Sequence, residues 1–168
     1  VNFCLIPEVP LVLEGENGFL RALEKRLDEK HHAVVVVAEG TGSELTQKDG
    51  VSKTDASGNS LRGDIGLLLK DRITAYFKER AKPAAMKYID PSYMIRSLPA
   101  DSNDSVFCVM LGQNAVHAAL SGRTNMVVGF WNQHFVHVPT ELTVLKRKKI
   151  DPHGFLWQTV LETTGQAP

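Results

Sequence analysis

The segment Asp90–Arg96 holds the densest group of side chains that could bind a ligand. Pro91 favours a turn there, and Tyr93 offers a hydroxyl that can donate or accept a hydrogen bond. Arg96 offers a planar fork of donors that matches a phosphate or a carboxylate with two hydrogen bonds. These residue types predict a site for such an anion. From spacing alone, a tyrosine packed at a sheet edge and an arginine in a surface ion pair is the simpler interpretation.

A second candidate, Glu8, lies between two prolines in the sequence PEVP. A carboxylate held by stiff backbone can accept hydrogen bonds from sugar hydroxyls with little loss of conformational entropy; an ordinary exposed glutamate is the simpler alternative. The stretch Glu39–Gly42 could bring backbone N–H groups to a phosphate, but it lacks the spacing of known phosphate-binding loops, which favours a tight turn. Three residues are weaker candidates: Gly40 in this stretch, and Met94 and Ile95 beside Tyr93.

The other polar clusters do not predict a catalytic or metal site. His134 and His137 form an HxxH pair and His31 adjoins His32, but neither pair has a third ligand at metal spacing, so packed or solvated histidines are expected. No metal site is predicted in this chain. The run Lys146–Lys149 is typical of a solvated helix end, with an anionic effector site as the alternative.

Short apolar runs alternate with amphipathic stretches, which predicts an α/β fold with a mostly parallel sheet. In such sheets ligands bind after the carboxyl ends of strands, where Glu8, Gly40 and Asp90–Arg96 all lie. The predicted strands are Phe3–Ile6, Ala33–Ala38, Met86–Ile89, Met126–Val128 and Phe135–Val138. The predicted helices are Asn17–Glu29, Asp64–Arg80, Ser102 or Asn103 to Leu120, Thr140–Lys149, and a last one from Asp151-Pro152 to Gly165.

Residues 43–63 form a long polar stretch that contains Gly50, Gly58 and Gly63. Structureless stretches of this length are uncommon in compact domains and are more often functional loops than spacers. We therefore expect residues 43–63 to be a mobile loop.

The composition is that of a soluble globular protein, with 168 residues, 43% hydrophobic and 23% charged. It excludes a wholly disordered chain and a membrane protein. Nineteen basic residues balance nineteen acidic ones, so neither a nucleic acid nor a membrane surface is an expected partner. Cys4 and Cys108 have no CxxC partner, and buried, reduced thiols in a cytoplasmic protein are expected. The chain opens in an apolar strand without a methionine, which suggests that it was cut from a longer polypeptide.

Six stretches of the sequence resemble the phosphofructokinase family, above all its longer-chain bacterial, protist and plant group. They are PEVP at 7–10, GENGFL at 15–20, HAVVVVAEGTG at 32–42, KYIDPSYMIRS at 87–97, NAVHAALSG at 114–122 and NQHFVHVP at 132–139. The resemblance covers nearly the whole chain in order, and IDPSYMIRS and PEVP are its most specific motifs. It implies a three-layer phosphofructokinase-like fold, of which residues 1–168 would be the C-terminal, sugar-phosphate-binding segment.

The resemblance also implies a reaction and a set of site residues. The family transfers a phosphoryl group from ATP, or from pyrophosphate in some members, to fructose 6-phosphate with the help of Mg²⁺. Carried over by motif, Glu8 would contact the sugar, and Tyr93 and Arg96 would hold the sugar and its 6-phosphate. The expected partners are fructose 6-phosphate, the missing N-terminal part of the enzyme, and further copies in a homo-oligomer.

The chain departs from the family by what its sequence lacks. The family's GGDG donor loop, its TIDND motif with the catalytic aspartate and its MGR loop are not among the 168 residues. The catalytic residues are therefore expected upstream of Val1, and the chain alone is expected to bind no ATP, pyrophosphate or Mg²⁺ and to be inactive. The alternative is a non-catalytic module, a degenerate subunit that binds sugar phosphate or takes part in assembly.

Overall fold

The computed structural model describes residues 1–46, 64–82 and 84–166. The chain divides into two compact units: unit 1 comprises Val1–Ile89 with Lys149–Pro168, and unit 2 comprises Asp90–Lys148. The elements, in chain order, are β1 (Phe3–Leu5), α1 (Phe19–Lys30), β2 (Val35–Val37), α2 (Ser43–Thr46), α3 (Ile65–Glu79), α4 (Ser92–Arg96), α5 (Ser102–Leu120), β3 (Met126–Trp131), β4 (His134–Pro139), α6 (Thr140–Val144) and α7 (Phe155–Thr164).

Unit 1 contains a small parallel sheet of β1 and β2, in which Phe3 lies opposite Val35 and Leu5 opposite Val37. The β-branched run that forms β2 suits a strand, and both strands were predicted. The free edge of β1 is closed by a side chain from near the C-terminus. The Gln166 amide accepts a hydrogen bond from the Cys4 N–H at 2.6 Å and donates one to the Cys4 carbonyl at 3.1 Å.

The core of unit 1 forms between β1, α1 and α3. Four buried residues of α3 recur every four positions and so share one face of the helix. They meet the aromatic and leucine side chains of β1 and α1, and Phe3 and Phe19 pack edge to face at 5.4 Å. The α3 members are Ile65, Leu69, Ile73 and Phe77, and the others are Phe3, Phe19, Leu20 and Leu23.

Unit 2 contains the long helix α5 and an antiparallel hairpin of β3 and β4. The predicted turn residues Asn132 and Gln133 have φ angles of 47° and 67°, the left-handed pair that a two-residue hairpin turn requires. The helix α5 ends before Gly122, as predicted, where φ is 73°.

The predicted fold class is confirmed only as a mixture of helices and strands with a small parallel sheet. Among the described residues one strand pair is parallel and the other antiparallel, so a mostly parallel sheet is not shown. The predicted strand Met86–Ile89 was wrong, because these residues pair with no strand of the described ranges. Of residues 43–63, 43–46 form the short helix α2, and the remainder lies outside the described residues.

Several helix ends differ from the predictions because a neighbouring residue makes the cap or turn. Gly18, not Asn17, precedes α1, since Gly18 closes a tight turn onto Gly15. The α5 cap is Asp101 rather than Ser102 or Asn103, and its carboxylate accepts from the Asp104 N–H at 2.8 Å.

Near the C-terminus, two further helices are shorter than predicted. α6 ends at Val144 and leaves the run Lys146–Lys149 outside any helix. Asp151 caps a turn instead of a helix, so α7 begins at Phe155.

The two cysteines are free, but they are not both buried as predicted: Cys4 is half-buried and Cys108 is exposed. None of the helices in the described ranges is long and apolar enough to cross a membrane.

Candidate functional site

The segment that carries Tyr93 and Arg96 folds as a turn followed by the short helix α4, within unit 2. Asp90 Oδ1 accepts a hydrogen bond from the Ser92 N–H at 3.0 Å, and the Ile95 N–H donates to the Pro91 carbonyl at 2.9 Å. An Asp-Pro-Ser sequence favours such a turn, because the aspartate side chain can bond the backbone two residues on. Tyr93 therefore lies in a helix and not at a sheet edge.

The electrostatics of this segment are set by Asp90. The Ser92 backbone N–H, then the Ser92 hydroxyl and the charge of Arg96, lower the pKa of the Asp90 carboxyl. Asp90 therefore stays ionised at neutral pH and is committed to holding the turn. Arg96 is exposed and makes no ion pair with any described residue, so the surface ion pair considered from the sequence is not found. The weaker candidates Met94 and Ile95 are also exposed, at 56% and 63%.

Glu8 lies in a turn directly after β1, within unit 1. It is half-buried, and its Oε1 accepts a hydrogen bond from the Ile150 N–H at 3.3 Å. The other carboxylate oxygen has no hydrogen-bond partner among the described residues. Glu8 is therefore oriented by the protein and retains acceptor capacity, as binding a hydroxyl would require.

Gly40 lies in a tight turn after β2. The Thr41 N–H donates to the Ala38 carbonyl at 2.9 Å, and the buried Thr41 hydroxyl donates to the Leu5 carbonyl at 3.0 Å. The turn thus uses the Thr41 N–H that a phosphate would need, which agrees with the tight-turn interpretation of this stretch.

The sequence-predicted residues fall in both units. Glu8 and Gly40 lie in unit 1, while Tyr93, Met94, Ile95 and Arg96 lie together in α4 of unit 2. The structure defines the local surroundings of each group separately. Their assignment to one ligand stays a prediction that comes from the family resemblance.

Sequence reasoning missed the buried carboxylate of Glu24 in unit 1. Its side chain is 7% exposed and accepts hydrogen bonds from Tyr76 Oη at 3.0 Å, Arg21 Nη1 at 2.9 Å and Lys82 Nζ at 3.3 Å. The Tyr76 hydroxyl, then the Arg21 and Lys82 contacts, lower the Glu24 pKa against the opposing effect of burial. The cluster links α1 to α3. In the sequence, Glu24 is visible only as a charged residue that interrupts the apolar face of α1.

A magnesium ion finds no ready ligand set in this part of the chain. Within the described ranges, no three histidine, cysteine, aspartate or glutamate side chains are grouped so that they could hold a metal. The described residues therefore do not fit the Mg²⁺ that the family resemblance implies for a whole enzyme.

Comparison with known proteins gives consistent matches, although no family model matches the chain. The ATP-dependent 6-phosphofructokinase of Borreliella burgdorferi is 50% identical over 99% of this chain, and that of Amycolatopsis methanolica is 48% identical over 96%. The resemblance to phosphofructokinases is confirmed. A chloroplastic ATP-dependent 6-phosphofructokinase of Arabidopsis thaliana is 42% identical over 99% of the chain.

The matched region is only part of each relative. The chain spans 38%, 36% and 30% of the lengths of these three proteins, about a third of the curated relatives it matches. The similarity therefore bears on one portion of such an enzyme.

Proposed function

We propose that this chain is the part of an ATP-dependent 6-phosphofructokinase that binds the acceptor sugar, fructose 6-phosphate. The observation that carries the proposal is Arg96, an exposed guanidinium without an ion pair among the described residues, in a chain up to 50% identical to such enzymes. An exposed guanidinium that is not engaged by a carboxylate can bind a phosphate through two charge-assisted hydrogen bonds.

Each proposed site residue has a distinct task. Arg96 binds the 6-phosphate, and Tyr93 adds a hydroxyl beside it. Glu8, held by the Ile150 N–H, accepts a hydrogen bond from a sugar hydroxyl. The reaction moves the terminal phosphoryl group of ATP to the 1-hydroxyl of the sugar, which gives up its proton to a base that this chain does not supply. The contribution of the described residues is binding and orientation of the acceptor.

The same proposal covers the fold, cellular location, assembly and phosphoryl donor of the whole enzyme. The whole enzyme has a three-layer phosphofructokinase-like fold, works in the cytoplasm and forms a homo-oligomer. The names of the relatives favour ATP over pyrophosphate as the donor. The 168-residue chain alone has no phosphofructokinase activity, because the donor-binding motifs are absent from its sequence.

Steady-state kinetics on a full-length enzyme that contains this sequence tests the proposal. Arg96→Ala should lower kcat/KM for fructose 6-phosphate by the equivalent of about 2–5 kcal/mol, the range for removing one member of a charge pair, with little change in KM for ATP. Arg96→Lys should restore only part of the loss, since an ammonium cannot make the planar two-point contact. Glu8→Gln should alter sugar discrimination more than phosphate affinity.

Lys148→Ala is the matched control, because it removes another cation of unit 2 that lies outside the proposed site. It should leave both Michaelis constants unchanged. If Arg96→Ala keeps kcat/KM for fructose 6-phosphate within about twofold, Arg96 does not bind the sugar phosphate and the site assignment is wrong.

A further inference from the structure

Tyr88 packs onto the first turn of α3 in a way that excludes any side chain from the neighbouring position. A Cβ atom built on the buried Gly66 would overlap the Tyr88 ring, with Cζ at 2.8 Å and the hydroxyl oxygen at 2.9 Å. Glycine is unfavourable within a helix, and a side chain at position 66 would have to displace the Tyr88 ring.

The Tyr88 hydroxyl meets the residue that begins the same helix. Its Oη lies 3.2 Å from each carboxylate oxygen of Asp64, whose Oδ1 also accepts the Leu67 N–H at 3.0 Å as the cap of α3. One carboxylate thus holds both the helix start and the tyrosine. Ring packing and a hydrogen bond together attach Tyr88 to α3.

The helix that receives Tyr88 is packed into the core of unit 1. Its inner face is buried in the core through Ile65, Leu69, Ile73 and Phe77. Residues 84–90, by contrast, form neither helix nor strand. Met86 of this segment also packs against the core of unit 1. Tyr88 and Met86 therefore both anchor a segment that has no secondary structure of its own.

Tyr88 also stands two residues before Asp90, whose turn starts the segment that carries Arg96. We propose that Tyr88 is a positioning residue for the acceptor site. Through Gly66 and Asp64 it fixes the chain immediately before Asp90–Arg96, so that less freedom is lost when the sugar phosphate binds. This inference rests on the proposed function, in which Arg96 binds the 6-phosphate.

The test uses the full-length enzyme and four variants. Gly66→Ala displaces the ring, Tyr88→Ala removes it, and Tyr88→Phe keeps the ring but loses the hydroxyl. We expect Gly66→Ala and Tyr88→Ala each to raise KM for fructose 6-phosphate about tenfold or more, with KM for ATP unchanged. Tyr88→Phe keeps the ring and should restore part of the affinity. A general loss of structure would change both Michaelis constants, so the unchanged KM for ATP is what identifies positioning.

The fourth variant combines Gly66→Ala with Tyr88→Ala and serves as the matched control. Without the ring the new methyl group has room, so the double variant should be no worse than Tyr88→Ala alone. If the two effects multiply instead, Gly66 does not act through Tyr88 and the inference is wrong.

Two results separate failure of this inference from failure of the proposed function. Tyr88→Ala and Tyr88→Phe within about twofold of the parent, while Arg96→Ala still loses affinity, would overturn the role of Tyr88 alone. If Arg96→Ala is also without effect, the proposed function itself fails. Should Gly66→Ala not fold, as circular dichroism would show, the two Tyr88 variants decide the matter.

Discussion

Units 1 and 2 differ sharply in how much apolar surface they bury with their own residues. Nine of the buried apolar side chains in the described chain lie in unit 1, and Ala118 alone lies in unit 2. The helix α5 exposes Val106, Val109 and Val116 at 57–60%, and Leu120 at 81%. A helix that is apolar on all sides is normally buried.

The difference suggests two kinds of folding unit. Unit 1 has a core and a buried charge cluster that its own elements complete. Unit 2 has local packing, such as the contacts of Phe107 with Phe130 at 5.3 Å and with Phe135 at 5.8 Å, but not enough to cover α5. We expect α5 to be covered by a surface that the described residues do not supply, and the following predictions test that comparison.

The largest expected effect is in the core of unit 1. Phe77 is 3% exposed, and Phe77→Ala should lower the free energy of unfolding of the 168-residue chain by about 3–5 kcal/mol, since it leaves a cavity. Val109→Ala on α5, where the side chain is 59% exposed, should cost under about 0.5 kcal/mol. Urea unfolding of both variants measures this contrast, and equal losses would break the comparison.

The next largest effect, a loss of stability, should differ between the 168-residue chain and a full-length protein that contains it. Val116→Asp places a charge on α5 at a site 57% exposed in this chain, so the 168-residue chain should unfold at nearly the same urea concentration as before. In a full-length protein that contains this sequence the same change should cost at least about 1–3 kcal/mol, the range for burying a neutral polar group, since an ionised carboxylate removed from water costs more. Equal behaviour in both proteins would show that α5 stays exposed to solvent.

The smallest effect concerns the charge cluster of unit 1. Because hydrogen bonds to Tyr76, Arg21 and Lys82 lower the Glu24 pKa, the folded state binds this proton less readily than the unfolded state. The cluster therefore stabilises the fold above the ordinary carboxyl pKa, and this contribution is lost as the pH falls through the lowered value. Glu24→Gln should flatten that part of the dependence of melting temperature on pH.

The control for Glu24 is Glu14, a carboxylate that is 77% exposed and 3.9 Å from Arg72. Glu14→Gln should change the melting temperature at neutral pH very little, since an exposed ion pair contributes little to stability. A slope unchanged by Glu24→Gln would mean that Tyr76, Arg21 and Lys82 do not favour the ionised carboxyl.

The sequence predicted elements well where local chemistry decides them. Asp64 begins α3 because its carboxylate is the expected cap, and Asn132-Gln133 turns the hairpin through left-handed backbone. The sequence failed at Met86–Ile89, because an apolar pattern does not reveal whether a strand has a partner and none of the described strands pairs with these residues. It also did not reveal that Tyr88 packs on Gly66, 22 positions away. Three successive capping residues, Asp101 to Asn103, also left the start of α5 ambiguous.

For the candidate site, residue chemistry pointed to Arg96 and Glu8 as candidates, and the structure added the turn that precedes Arg96 and the hydrogen bond that Glu8 accepts. The Asp90–Ser92 turn was readable from the sequence in principle, since aspartate before proline and serine favours it. The Ile150 N–H that orients Glu8 was not, because those residues are 142 positions apart.

The Gln166 amide that closes the free edge of β1 bears on the solubility of this chain. Phe3 and Leu5 direct their backbone hydrogen bonds toward β2. The N–H and carbonyl of Cys4 point to the opposite edge of β1, and without a partner they could pair with a strand of another molecule. Open strand edges of this kind template aggregation. By occupying both groups, one glutamine side chain shields the edge from intermolecular pairing, and trimming the last three residues would remove that protection.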